Sequence, residues 1–173
     1  MDKILYEPKT KQQLKRSPWW MALVFATGIL ALGMLAAAWG YWLGSDYERQ
    51  VINPPIYPPE WFFWAIWLVL YPTLGISTWY VWRQRHDPLA RHALGVFAIH
   101  LLANLSWVPV VHITRSTLAV PVLMDLFVDV FVFATAIAYW RVSKLAFRWL
   151  LPYLAWNVFT TLIKIWRLLL NVS

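Results

Sequence analysis

This chain of 173 residues is far more apolar than a soluble domain, since 61% of its residues are hydrophobic and 13% are charged. Soluble domains carry about 45–50% apolar and about 25% charged residues. The formal charge of +7 does not indicate nucleic-acid binding, because the basic residues lie between apolar blocks rather than on one face. With no cysteine, the chain has no disulfide framework, thiolate nucleophile or iron–sulfur site.

The chain begins with a polar, basic arm over residues 1–17, followed by an apolar block over residues 18–43. This block exceeds the roughly 7–15 apolar residues of a signal peptide, so it predicts an uncleaved transmembrane helix. Ala36-Ala37-Ala38 resembles a cleavage site, which leaves removal of the segment as the alternative. Residues 44–60 contain four prolines and are predicted to form an ordered, non-helical lid loop.

Four further apolar blocks follow, over residues 61–82, 93–112, 117–140 and 149–170. Each is near the length of about 20 residues that crosses about 30 Å of hydrocarbon. Pro72 is predicted to kink its helix without ending it. The sequence therefore predicts an all-α fold, an integral membrane bundle of five transmembrane helices forming one domain over residues 18–173.

Charge bias predicts the orientation of a multi-pass protein. Eleven of the fifteen Lys and Arg residues lie in the N-terminal arm and in the second and fourth loops. The positive-inside rule then places the N-terminus inside and the proline-rich loop outside. Whether the membrane is bacterial or belongs to an organelle stays open.

A few polar side chains interrupt the apolar blocks, and they are the candidates for a functional site because charge deep in a bilayer is costly. They are His100, Asn104, Asp125, Asp129, Asn157 and Lys164. Counted from the outer helix ends, Asn104, Asp125, Lys164 and Trp67 share one level. His100 and Asp129 share a deeper level, with Trp156 slightly further in.

Helical spacing groups these candidates into faces. His100, Asn104 and Trp107 follow an i, i+4, i+7 pattern. Trp67 and Tyr71 share a face of the second helix. On the fifth helix the shared face contains Trp156, Thr160 and Lys164. The pattern predicts one polar and aromatic cavity that opens toward the proline-rich loop.

Structural interpretations compete with a ligand site at each position. Asp125 and Lys164 are also typical of a buried ion pair, and His100 alone is more typical of a packed histidine than of a metal ligand. Asn104 is also suited to hydrogen bonding between helices. Asp129 is compatible with facing a partner subunit, and the deep tryptophans with filling the core. We find no glycine-rich phosphate loop, metal-ligand cluster or catalytic triad in the sequence.

Several stretches resemble the tryptophan-rich sensory protein/translocator protein family, in order and over roughly residues 46–171. These stretches are Pro58-Pro59-Glu60-Trp61, Ile66-Trp67 with Tyr71, Gly75 with Val81-Trp82, Asn104-Leu105-Ser106-Trp107-Val108-Pro109, Asp125-Leu126, Ala134-Thr135, Trp140 to Ala146, and Leu150 to Trp156. The resemblance implies a five-helix bundle, often a homodimer. It also implies binding of porphyrins, haem, sterols or benzodiazepine-type ligands in one pocket, with no obligatory cofactor.

Family position implies a pocket made of Trp67, Asn104, Trp107 and Trp156, with Asp125 and Tyr71 nearby. The lid would be the loop that holds Tyr47, Pro58 and Pro59. The chain departs from the family pattern at three informative places: Ile163-Lys164 replaces a leucine–asparagine pair, Ile165 replaces a tyrosine of the animal sterol motif, and His100 stands where glutamine is common. The second departure weakens sterol binding, and the third raises His100 as an axial ligand for haem iron.

Three functional hypotheses result. The leading one is a membrane receptor or translocator for tetrapyrroles or similar apolar small molecules, tied to stress or pigment metabolism. The second is a light-dependent enzyme that degrades porphyrin through indole radicals. The third is a scaffold without ligand, in which Gly28, Gly33, Ala36 and Ala37 let the first helix pack against another protein.

Overall fold

A computed structural model describes residues 18–43, 51–114 and 117–172. Within those residues the chain forms five α-helices: α1 (Trp20–Leu43), α2 (Glu60–Trp82), α3 (Pro88–Thr114), α4 (Ala119–Val142) and α5 (Lys144–Val172). The predicted all-α membrane bundle is confirmed. Residues 44–50 of the predicted lid loop, including Tyr47, lie outside the described residues.

Two helices begin ahead of their apolar blocks, because capping residues set where a helix starts. Asp87 accepts a hydrogen bond from the N–H of Leu89 at 2.8 Å, with Pro88 in the first helical position. Ser143 accepts one from the N–H of Ala146 at 3.3 Å and is the only residue between α4 and α5. An apolar block in the sequence marks only the part of a helix that lies in lipid, whereas the capping residue determines where the helix begins.

The helices form a closed ring in the order α1, α2, α5, α4, α3, with α3 returning to α1. We call the end formed by the C-termini of α2 and α4 and the N-termini of α3 and α5 the basic end. The opposite end is the lid end. Large apolar side chains such as Leu102, Val130 and Leu162 are exposed around the outside of the ring, where lipid replaces water.

In the described part of the chain, α1 to α4 are the helices long and apolar enough to cross a membrane by composition. The fifth helix has 29 residues and differs because its inward face is polar. Asn157, Thr160, Thr161 and Arg167 are all buried in α5. Its polar side chains therefore point into the bundle, where Leu150 and Ile163 are buried as well.

Close packing of α1 on α2 depends on glycine. A Cβ added to Gly75 would lie 2.5 Å from the carbonyl oxygen of Phe25 and from the Cα of Ala26, so only glycine fits there. A Cβ on Gly33 would overlap the ring of Tyr71 in the same chain. Gly33, a candidate for packing against another protein, is thus used within the bundle.

Hydrogen bonds between helices hold the basic end together. The hydroxyl of Tyr139 donates to Thr78 Oγ1 at 3.1 Å, joining α4 to α2. Ser77 donates to the carbonyl oxygen of Ala146 at 2.7 Å, joining α2 to α5. All three side chains are fully or almost fully buried, so this end of the ring is fixed.

Candidate ligand-binding site

A hydrogen-bonded network crosses the centre of the ring. The Tyr71 hydroxyl donates to Asn104 Oδ1 at 3.4 Å, and Asn104 Nδ2 donates to the Tyr153 hydroxyl at 2.8 Å. His100 Nε2 lies 3.1 Å from the same hydroxyl. The network joins α2, α3 and α5.

Asp125 is the centre of a second polar cluster, nearer the lid end. Lys164 Nζ lies 3.0 Å from Asp125 Oδ1 and 2.8 Å from Oδ2, and Trp107 Nε1 donates to Oδ1 at 2.7 Å. The ammonium also lies 4.4 Å from the centre of the Trp107 ring. The side chain of Lys164 is 16% exposed, whereas that of Asp125 is 9% exposed. The lysine is therefore the more accessible member of the pair.

Asp129 faces α5 rather than the outside of the bundle. It is 8% exposed and accepts a hydrogen bond from Thr161 at 2.7 Å, so within this chain it joins α4 to α5. Thr160 donates to the carbonyl oxygen of Asn157 in its own helix at 2.9 Å. The hydroxyl of Thr160 is thus bonded within its own helix.

The predicted indoles lie in three surroundings. Trp67 stacks on Tyr71 with ring centres 5.0 Å apart. Trp107 belongs to the Asp125 cluster. Trp156 packs against Phe62, Phe63 and Phe159 with ring centres 5.3–5.8 Å apart, and its N–H is buried without an acceptor among the described residues.

The last stretch before α2, residues 51–59, lies on the end of α5; we call it the lid segment. Asn171 accepts from the N–H of Ile52 at 2.9 Å and donates to the Ile52 carbonyl oxygen at 2.9 Å. Arg167 donates to the Tyr57 hydroxyl at 3.3 Å and lies 4.9 Å from the centre of that ring. Pro58 is half-buried and Pro59 precedes the first turn of α2.

Several of the predicted side chains thus converge, and among the described residues most of their polar groups bind one another directly. The reason is energetic, because an unpaired polar group inside a bilayer costs several kcal/mol, on the order of a lost hydrogen bond or more. Entry of a ligand therefore requires exchange of some of these contacts.

Sequence reasoning missed two residues that organise this region. Tyr153 bonds to both Asn104 and His100, and Asn171 holds the lid segment. A signal for Tyr153 was present, since Tyr153, Asn157, Thr160 and Lys164 form one polar stripe at spacings of three and four. Asn171 carried no such signal, because its partner is backbone more than a hundred residues away.

His100, the candidate axial ligand for haem iron, is fully buried, and its Nε2 lies 3.1 Å from the Tyr153 hydroxyl. Its Nδ1 is buried without a hydrogen-bond partner among the described residues. Phe97 packs edge-on against the ring at 5.8 Å. Ligation through Nε2 would therefore require the contact with Tyr153 to break. Among the described residues no group of His, Asp or Glu is arranged to hold a metal ion.

These features define a multi-pass helical membrane protein with a polar, aromatic interior. Residues 20–167 match the model of the TspO/MBR family. The chain belongs to that family.

Three relatives illustrate the match. The Translocator protein of Homo sapiens is 30% identical over 162 residues, covering 87% of this chain and 90% of the human protein. The Tryptophan-rich protein TspO of Chlorobaculum tepidum is 29% identical over 157 residues, covering 87% and 96%. Protein CrtK of Rhodobacter capsulatus is 26% identical over 151 residues, covering 84% and 92%. This chain thus spans nearly the whole length of each relative and is an integral membrane protein of the translocator or receptor type.

Proposed function

We propose that this protein binds a tetrapyrrole, or another flat apolar molecule that carries carboxylates, between α2, α3 and α5 beneath the lid segment. The observation that carries the proposal is the cluster of Lys164, Asp125 and Trp107. It holds a partly accessible ammonium, already paired with a carboxylate, against the face of an indole. This is the chemistry that recognises an aromatic plate with acidic substituents.

Binding would proceed by exchange of partners. A ligand carboxylate takes the place of Asp125 beside Lys164, and the macrocycle stacks on the indoles of Trp67 and Trp156. The exchange replaces one ion pair with another, and Asp125 keeps only the hydrogen bond from Trp107 Nε1, so the loss of its cation is the main cost of binding. The N–H of Trp156, which is buried and has no acceptor among the described residues, gains one when a polar ligand edge reaches it.

The lid segment would gate this exchange. Its contacts to α5 include two hydrogen bonds at Asn171 and the Arg167–Tyr57 contact. Tyr57 packs on Phe63 at 5.6 Å, and Phe63 packs on Trp156. Release of the segment would therefore loosen one of the proposed stacking surfaces.

The proposed orientation has the basic end facing inside. Arg83, Arg85 and Arg91 lie at the end of α2 and the start of α3, and Arg141, Lys144 and Arg148 lie at the junction of α4 and α5. The same rule of positive charge puts the lid segment, and hence ligand entry, on the outer side.

The test is titration of protoporphyrin and haem into the purified full chain, followed by quenching of tryptophan fluorescence. The double variant W67F/W156F should weaken binding at least about tenfold, or about 1.4 kcal/mol. The matched control is W19F/W20F, since these two indoles are exposed at the basic end. Equal affinities for the two double variants would refute the site.

Two further arms separate the alternatives. H100Q should leave haem and protoporphyrin affinities alike, whereas a loss confined to haem would make His100 an axial ligand. Illumination of the complex that yields a new tetrapyrrole product above a detergent control would favour the enzyme. Absence of binding at micromolar concentration would favour the scaffold.

A further inference from the structure

A depression of about 510 Å³ opens at the basic end, about fifteen residues along α2 from Trp67 and so roughly 22 Å from the proposed ligand site. It is lined by Trp82, Arg85, His86, Arg91 and Leu94. The lining combines two guanidinium groups and an imidazole with an apolar floor. Nothing in the proposed function uses it.

The cations around this depression are available for an external anion. Arg85 lies 5.2 Å from the centre of the Trp82 ring and donates to the Trp82 carbonyl oxygen at 3.4 Å. Within the described part of the chain, neither Arg85 nor Arg91 pairs with a carboxylate. The nearby Asp87 caps α3 through the N–H of Leu89. The indole N–H of Trp82 is buried and lacks an acceptor among the described residues.

An apolar stripe leads from the depression toward the middle of the membrane. Below Arg91 and Leu94, the same face of α3 presents Gly95, Ala98 and Leu102, all exposed. Gly95 and Ala98 carry little or no side chain, and a Cβ added to Gly95 would meet nothing within 4 Å, so the surface of α3 is open there; we call this open stripe the groove. The exposed indoles of Trp19 and Trp20 lie at the same end of the bundle, as expected at a membrane interface.

We propose that this depression binds the phosphate headgroup of an anionic phospholipid, with one acyl chain in the groove along α3. Two guanidinium groups match a phosphate through charge-assisted hydrogen bonds. Basic pockets between transmembrane helices on the inner side suit such headgroups. The apolar floor and the groove favour a lipid over a soluble phosphate, because inorganic phosphate has no apolar part that could contact either.

The test is native mass spectrometry of the full chain titrated with phosphatidylglycerol, phosphatidylcholine or inorganic phosphate. The first phosphatidylglycerol should bind at least about tenfold more weakly to R85Q/R91Q than to the wild type. The control R141Q/R148Q removes the same charge from exposed positions at the same end and should bind as the wild type does. G95L fills the groove without changing charge and should also weaken binding.

Four outcomes would overturn the proposal. Equal losses in R85Q/R91Q and R141Q/R148Q would mean general attraction to a basic surface. Equal binding of phosphatidylcholine would remove the requirement for an anion. Binding of inorganic phosphate as tight as that of the lipid would make the ligand a soluble phosphate, and full binding by G95L would remove the groove. Because G95L replaces an exposed helical glycine with a good helix former, it tests the groove even if R85Q/R91Q fails to fold.

Discussion

The ion pair between Asp125 and Lys164 allows a test of structure and function together. D125N keeps the size of the side chain and an oxygen that accepts from Trp107, but removes the negative charge. K164M removes the ammonium and keeps the length of the side chain. Their combination removes the whole pair.

The expected cost of D125N follows from burial. Removal of one member of a fully buried pair costs about 3–5 kcal/mol. Lys164 is 16% exposed and the amide still accepts a hydrogen bond, so we expect a loss of about 2 kcal/mol in the free energy of unfolding. In a protein of this size that lowers Tm by about 4–8 °C. The double variant D125N/K164M should lose about 1–2 kcal/mol less in the free energy of unfolding than the sum of the losses in the two single variants.

Thermal unfolding in one detergent, at a fixed heating rate, measures these differences. D129N is the matched control, because Asp129 is a buried carboxylate on the same helix whose hydrogen bond comes from Thr161 instead of the lysine. Additive losses for D125N and K164M, or the same coupling of K164M with D129N, would refute the reasoning.

The same variants test recognition of the ligand. In D125N, Lys164 no longer has a carboxylate that competes with the ligand. Protoporphyrin should therefore bind D125N about threefold to tenfold more tightly than it binds the wild type. Its dimethyl ester, which lacks the charges, should gain nothing. K164M should bind acid and ester alike; a preserved preference for the acid would place the carboxylates elsewhere.

Two further predictions concern packing and the lid. G75A should lower Tm by several degrees because its methyl group meets the backbone of α1 at Ala26. G95A should raise Tm, because alanine stabilises a helix by up to about 1 kcal/mol relative to glycine. Equal shifts in Tm for the two variants would contradict the close packing at Gly75. N171L removes both hydrogen bonds to Ile52 and should speed ligand association and dissociation in stopped-flow quenching, and unchanged rates would exclude the lid segment as a gate.

The sequence alone determined the class of protein and most of the candidate site. Lengths of apolar blocks are dictated by bilayer thickness, so the bundle was predictable without tertiary information. Charged or amide side chains are rare in such blocks, so Asn104, Asp125 and Lys164 could be selected as site candidates from the sequence alone. Their shared level followed from the rise of the helix.

Only the tertiary structure decided which groups pair. The ion pair of Asp125 with Lys164 was one of the sequence interpretations, and the structure contains it. Depth and face place Asn104 and His100 near the centre, but they do not specify that Tyr153 joins them. Those choices depend on the order of helices around the ring, which hydrophobic periodicity does not encode.

The lid contact of Asn171 arises only when the ring closes, because it joins segments 119 residues apart. The depression at Trp82 is different, since its lining comes from one stretch, residues 82–94, and depends on how α2 turns into α3. The sequence shows which polar groups each helix carries, and the packing of the helices determines which groups become hydrogen-bond partners.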